Sequence, residues 1–466
     1  MDRREFLSAL VVTPLLSKLV SGAPKTFRRV RPGEALWPNE AAWATLRSDV
    51  GGRLIKLESP LAACKPTSST EACGKVLKSL ENPYYISDEP AYTQASGYLD
   101  AWTSAPSAYA VAAESTQDVV AAVNFAREKN LRLVVKGGGH SYLGTSSSPD
   151  SLLIWTHRMN KITMHDSFIA SGCKEAQPAV TIETGAIWQH TYNEVTTKAG
   201  RYVQGGGCAT VGVAGLIQSG GFGSFSKNYG MAAAALIEAE IVTADGKIRI
   251  VNACKEPELF WALKGGGGGT FGVVTKVTLR TRELPAFFGG AFANIRATSD
   301  DAFRRLIAGT MKFYKEALFN PHWGEQMVFR SPNRLDIRMV FCGLDQKQAE
   351  EQWVPFKKFL AESPGDFLEV GEGEPRIHVG GLEEQAHSRA DPGIGDYPMM
   401  KTVHVVARDN TRRRNQHEVG FSGDLVAYGQ LVPQLRPSIL THQQGQRLPV
   451  LRRRPFRRNE SDIRRV

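Results

Sequence analysis

The 466-residue chain has no uninterrupted apolar stretch near the roughly 18 residues that a membrane-crossing helix needs, so stable membrane insertion is not expected. Its cysteines, at 64, 73, 173, 208, 254 and 342, include no Cys-x-x-Cys pair, which argues against zinc, and no metal is expected. There is no Gly-Lys-Ser/Thr to complete a Walker loop, the glycine loop at 137–141 lacks the spacing of the nicotinamide fingerprint, and no internal repeat is evident. Charged residues make up 22% of the chain and hydrophobic ones 42%, a balance that excludes a disordered chain and provides material for real cores. At roughly 150 residues per domain, this length corresponds to about three domains or two large ones.

The formal net charge of +10 would ordinarily point toward nucleic acid or an anionic surface. Its distribution says otherwise. Residues 412–466 hold 12 arginines, no lysine and 4 acidic residues, a net of +8, which leaves +2 for the 411 residues before them. Usage shifts in the same region: 20 Arg and 21 Lys precede residue 371, then 15 Arg and 1 Lys follow. Residues 412–466 therefore read as an atypical arginine-rich tail on a nearly neutral body. The tail has little aromatic interleaving beyond Phe456 and the chain has no reader motif, so no nucleic-acid partner is expected.

At the other end, Arg3-Arg4-Glu5-Phe6-Leu7 precedes a modest apolar stretch, Ser8 to Val20, and then the small residues Ser21-Gly22-Ala23. This resembles a twin-arginine secretory signal over residues 1–23 and predicts an exported protein, periplasmic or secreted. Pro14 and Lys18 also suit an amphipathic N-terminal helix. Export would place Cys64 and Cys73 where a local disulfide persists; otherwise they are ordinary thiols.

Residues 24–100 are mixed. Ser115-Thr116-Gln117-Asp118 forms a capping box, and Val119, Val120, Val123 and Phe125 continue it as a helix that ends before Asn130. An apolar run, Leu131–Val135, follows, and further strands are predicted at Leu152–Thr156, Val180–Thr184, Leu236–Thr243, Lys247–Val251 and Gly272–Arg280. After Pro285 come a long amphipathic helix (301–319), strands at 325–330 and 334–342, and a second helix (345–362). That order predicts an antiparallel sheet covered by helices.

Glycine clusters after strands let backbone N–H groups approach a phosphate with no Cβ in the way. Gly137-Gly138-Gly139-His140-Ser141-Tyr142-Leu143-Gly144 has this form. Alone it is compatible with a purely structural turn, His140 with a hydrogen-bonded loop histidine, and Cys208 with a small buried apolar side chain. Together the segments say more. Gly205-Gly206-Gly207-Cys208-Ala209-Thr210-Val211-Gly212-Val213 sets a cysteine in a second glycine loop, 68 residues after His140. A third glycine segment, 220–223, leads to Lys227-Asn228-Tyr229-Gly230; then come the strand and turn from Glu240 to Gly246 and the glycine pentad 265–269.

This ordered series resembles the FAD-linked oxidases of the vanillyl-alcohol-oxidase/p-cresol-methylhydroxylase superfamily, specifically the berberine-bridge-enzyme-like branch. The resemblance is strong over 100–285 and looser over 286–370. It implies an α+β fold: a two-part FAD-binding domain of the p-cresol-methylhydroxylase type over 24–284, with its core at 100–284, and a substrate domain at 285–411. It further implies that the run Gly137, Gly138, Gly139, His140 and Ser141 holds the FAD pyrophosphate through backbone amides, with Gly144 also a cofactor-binding residue. His140 and Cys208 match the two positions joined covalently to the flavin ring, which implies a bicovalent FAD. Gly185, Gly207, Gly212, Gly215 and Ile241 match positions lining the cofactor. Tyr142 matches a tyrosine facing the substrate, and Val211 a position where valine accompanies reactivity with dioxygen.

The implied function is that of an FAD-dependent oxidase. It takes hydride from an alcohol, sugar or similar C–H donor, and dioxygen reoxidises the flavin to give hydrogen peroxide. Such an oxidation needs a base. Glu325, Asp396, Tyr397 and His404 are conceivable acid/base groups, and each is more readily read as a surface polar residue. The family's C-terminal segment normally runs to a Lys/Arg-Tyr-Asp-Pro stretch, which this chain lacks. Two alternatives therefore stand beside the oxidase: a flavin-binding but catalytically incomplete chain, and a dehydrogenase with a non-oxygen acceptor.

Overall fold

The structure is a computed structural model that describes residues 28–65, 70–98, 101–369 and 376–380. The signal-like segment 1–23, the tail 412–466 and the candidates Asp396, Tyr397 and His404 lie outside the described residues.

Local signals build the first layer. Helix α1 (Thr116–Glu128) starts at the capping box: Ser115 Oγ accepts from Asp118 N at 3.2 Å and Asp118 Oδ2 accepts from Ser115 N at 3.1 Å. The Asp118 carboxylate also takes a 2.7 Å bond from Arg53. The helix covers a four-stranded sheet ordered β1 (Leu54–Lys56), β2 (Tyr109–Ala112), β4 (Ser151–Trp155), β3 (Arg132–Lys136). β2, β4 and β3 run parallel, with Lys136 level with Trp155. All five residues of β4 are buried, as expected for a strand covered on both faces. One face packs Val111, Leu152 and Ile154 against Val119, Val123 and Phe125, and the other buries Ala110, Ala112, Leu153 and Trp155.

A second, antiparallel sheet is ordered β8 (Ile248–Asn252), β7 (Leu236–Val242), β9 (Val273–Arg280), β6 (Ala176–Glu183), β5 (Ile162–Ile169). Its core joins Val180, Ile182, Ile241, Val277 and Leu279 to Trp188, Val213 and Ile217 from the loop-rich segment between β6 and β7.

The third sheet is also antiparallel. β12 (Arg334–Cys342) lies between β11 (Trp323–Arg330) and β10 (Phe288–Ala297), and β10 also pairs with β13 (Phe367–Glu369) and β14 (Arg376–Gly380). Helices α3 (Asp300–Phe313) and α4 (Gln346–Ala361) cover it through Leu306, Phe313, Trp353 and Phe356. The helix expected over 301–319 keeps a regular turn only to Phe313; beyond it the spiral widens, and Phe319 N bonds to Tyr314 O at 2.8 Å. Two disulfides are present, Cys64–Cys73 and Cys173–Cys254. Among the described residues, no helix is long and apolar enough to cross a membrane.

Candidate active site

β3 ends at Lys136, and the chain turns at once into the first glycine loop. Lys136 is buried, and its Nζ donates to the main-chain carbonyls of Glu89 at 2.6 Å, Pro90 at 3.2 Å and Tyr92 at 2.8 Å. Burial pushes its pKa down to about 7, against the opposing pull of Glu89 and Asp88. The same segment is tied to the loop itself, because Gln94 N donates to Gly139 O at 2.9 Å.

Several glycines answer to the chain's own backbone. A Cβ at Gly138 would stand 2.5 Å from Thr210 O and 2.6 Å from Gly212 N, and one at Gly212 would stand 2.8 Å from Gly138 N. The two glycine loops thus meet main chain on main chain, an approach that only glycine permits. At Gly185 the obstacle is Thr156 O, 1.9 Å from the position a Cβ would take. Gly144 has a φ of +71° and lies on the Trp102 ring. The sequence reading ascribes this glycine density to a phosphate; at 138, 185 and 212 the packing of loop on loop is already sufficient cause.

Among the described residues, no acceptor takes the main-chain N–H groups of Gly137, Gly138, Gly139, His140 or Ser141, although Gly138 and Gly139 are buried. An unmatched buried N–H costs roughly 1–3 kcal/mol, so the amides of the two buried residues, Gly138 and Gly139, favour an acceptor from outside the chain, and the half-buried amides of Gly137, His140 and Ser141 extend the same row. Such a run forms an anion-binding concavity, and it fits the pyrophosphate of a dinucleotide such as FAD.

Beside these amides stand the two side chains expected to hold the flavin. His140 Nε2 lies 2.9 Å from Thr210 Oγ1, and Cys208 Sγ lies 4.0 Å from the same oxygen. Burial lowers the His140 pKa to about 4, so its imidazole is neutral at ordinary pH. Cys208 is a half-buried free thiol. Two phenols lie within the electrostatic reach of Cys208. The pKa values of Tyr84 and Tyr142 are raised, first by burial and then by the charge of Cys208. Tyr84 OH donates to Gln189 Oε1, and Gln189 N bonds to Ala209 O at 3.1 Å. Tyr142 is 49% exposed, and its carbonyl accepts from Trp102 Nε1 at 2.8 Å.

The remaining expected residues are more dispersed in role. Gly207 and Gly215 are exposed, the latter on α2 (Val213–Gln218), which begins after Gly212. Val211 is half-buried and its carbonyl accepts from Trp188 N at 3.0 Å. Ile241 is fully buried in the second sheet's core. Glu325 occupies β11 opposite Met339. The third sheet meets the glycine loops directly: a Cβ at Gly324 would stand 1.7 Å from Ser224 O, and Lys227 Nζ donates to Leu318 O at 2.7 Å. Tyr84, Gln189 and Thr210 were not anticipated from sequence. Of these, only Thr210, two residues beyond the cysteine in the same loop, stood where a sequence signal could have marked it.

Residues 106–252 match the FAD binding domain family. The chain is 38% identical over 297 residues to the FAD-linked oxidoreductase malF of Malbranchea aurantiaca, covering 58% of this chain and 50% of that protein. It is also 38% identical over 346 residues to the FAD-linked oxidoreductase penH of Penicillium thymicola, covering 66% and 60%. The chain thus spans about half to three-fifths of the length of these curated relatives. Among solved structures it is similar to a VAO-type flavoprotein from Myceliophthora thermophila C1, with a TM-score of 0.66, 27% identity, and coverage of 76% of this chain and 66% of that one. Its fold is also similar to that of glucooligosaccharide oxidase from Acremonium strictum, whose FAD is 6-S-cysteinyl and 8α-N1-histidyl; here the TM-score is 0.52 at 20% identity, covering 72% of this chain and 60% of that one. This chain therefore carries the FAD-binding domain of the FAD-linked oxidoreductases, on an α+β fold of the vanillyl-alcohol-oxidase type.

Proposed function

We propose, from the FAD-binding domain shared with the FAD-linked oxidoreductases, that this protein is an exported oxidase holding FAD through both His140 and Cys208. The observation that carries this reading is one constellation: the amides of Gly137 to Ser141, without an acceptor among the described residues, beside the His140 and Cys208 side chains converging on Thr210. FAD would supply the redox chemistry, accepting hydride from an alcohol, sugar or similar C–H donor and passing electrons to dioxygen to give hydrogen peroxide.

The chain's own residues do the rest. The amides of 137–141 bind the pyrophosphate, and the neutral imidazole and the thiol fix the ring. Tyr142, half exposed beside Cys208, is placed to meet substrate and to hold or pass the proton of its hydroxyl. Two linkages reduce the number of contacts needed to hold the ring and leave room for a bulky donor. Two disulfides support an oxidising compartment.

The test is the protein expressed with ample flavin and run on a denaturing gel. Flavin fluorescence should persist in the wild type and in His140→Ala and Cys208→Ala singly, and vanish in the double variant. A wild-type band without fluorescence would sink the covalent part. Peroxide release across carbohydrates and aromatic alcohols, repeated with dioxygen excluded and an artificial acceptor present, separates oxidase from dehydrogenase.

A further inference from the structure

We infer that Thr210 is the positioning residue that orients both flavin attachment side chains through one hydroxyl, an inference that rests on the covalent reading above. Thr210 is 1% exposed, and its two polar ends are both engaged by the first glycine loop. Its carbonyl lies against Gly138, and its hydroxyl faces His140 Nε2 at 2.9 Å and Cys208 Sγ at 4.0 Å. The backbone contact fixes where the hydroxyl can be, because neither loop can move without separating the Gly138–Gly212 contact.

A neutral imidazole has one N–H and one lone pair. Both groups that reach the His140 ring belong to Thr210, its hydroxyl at Nε2 and its main-chain carbonyl, so Thr210 sets which nitrogen bears the proton. A threonine hydroxyl has one hydrogen to give. If that hydrogen turns toward the Cys208 sulfur, its oxygen is free to accept from Nε2–H, and the lone pair then sits on Nδ1. In this single arrangement the imidazole presents a nucleophilic Nδ1 while the sulfur gains a hydrogen-bond donor. If the hydrogen turned to Nε2 instead, Nδ1 would carry the proton and the sulfur would lose its donor. One rotor thus readies both side chains together.

The experiment compares wild type, Thr210→Ser and Thr210→Val, each purified with flavin. The ratio of flavin-bearing to bare peptide is read by mass spectrometry at His140 and at Cys208, and thermal unfolding is followed in parallel. The isosteric Thr210→Val should lower the His140 ratio at least tenfold and also lower the Cys208 ratio, whereas Thr210→Ser keeps both near wild type. A valine variant with wild-type ratios at both peptides overturns the inference, as does a serine variant that loses as much flavin as valine. Should Thr210→Val not fold, the serine variant and Thr210→Ala decide on the same two ratios. Absence of flavin from the wild-type peptides overturns the covalent reading together with this inference; presence in wild type with no change in Thr210→Val overturns this inference alone.

Discussion

Replacing Lys136 with methionine tests how the first glycine loop is anchored. The lysine sits one residue before Gly137, and its ammonium reaches the carbonyls of Glu89, Pro90 and Tyr92 at 2.6–3.2 Å. Methionine keeps much of the aliphatic length and loses all three bonds. Desolvation moves the amine's pKa from the ordinary 10.5 to about 7, whereas in the unfolded chain it titrates near the ordinary value. Between these two values folding expels a proton, so the unfolded state binds more protons and stability rises with pH. The slope is at most ~1.4 kcal/mol per pH unit. Methionine does not titrate, so the difference in unfolding free energy between wild type and Lys136→Met isolates this group. That difference should grow by about 3 kcal/mol from pH 7 to pH 9.5, and it should be flat well below pH 7, where the burial penalty is fully present. Urea unfolding followed by tryptophan fluorescence at several pH values measures it. A difference that does not change with pH between 7 and 9.5 would refute the reasoning, because the three carbonyls with Asp88 and Glu89 would then be holding the proton on.

The glycine positions separate by the same logic. Gly138→Ala should cost about 3 kcal/mol or more, because its Cβ meets main-chain atoms at 2.5 and 2.6 Å, and it should release bound flavin. Gly215→Ala, with nothing within 4 Å and a helical position, should be neutral or slightly stabilising; thermal unfolding of the pair checks both. Removing each disulfide by paired Cys→Ser changes should destabilise unequally. Loop-closure entropy assigns roughly 2.5 kcal/mol to Cys64–Cys73, nine residues apart, and roughly 4.5 kcal/mol to Cys173–Cys254, eighty-one apart. Equal shifts in denaturation midpoint would count against this account.

Much of the framework was legible because its signals are local. The capping box at Ser115, the apolar runs ending in glycine and the alternation in 334–342 each name an element without help from the rest of the chain. β10 was invisible for the opposite reason. Its sequence, Phe-Gly-Gly-Ala-Phe-Ala-Asn-Ile-Arg-Ala, is poor in β-branched residues, and its strand state comes from partners on both sides. β5 carries His165, Asp166 and Ser167 in mid-strand and breaks register there, as a sheet edge allows. In the candidate site, His140 and Cys208 stood out because each interrupts a glycine run. Lys136 and Tyr84 could not, since an ordinary lysine and tyrosine acquire meaning only from what the fold brings to them. Cys173 and Cys254 pair across 81 residues with no spacing rule to announce it.

The strand order of the second sheet has a consequence for where this domain can be cut. β9 is its central strand, yet it is the last of the five to leave the ribosome, and the segment recognisable as an FAD binding domain, 106–252, stops before it. A fragment ending at Asn252 would hold two hairpins, β5–β6 and β7–β8, already joinable through Ser171 and Asn252 but with a strand-wide gap between them. Val274, Val277 and Leu279 would be missing from the core, and the facing edges of β6 and β7 would lie open. The segment that matches the FAD binding domain is thus shorter than the sheet it belongs to, and a fragment that keeps this sheet whole must run at least to Arg280.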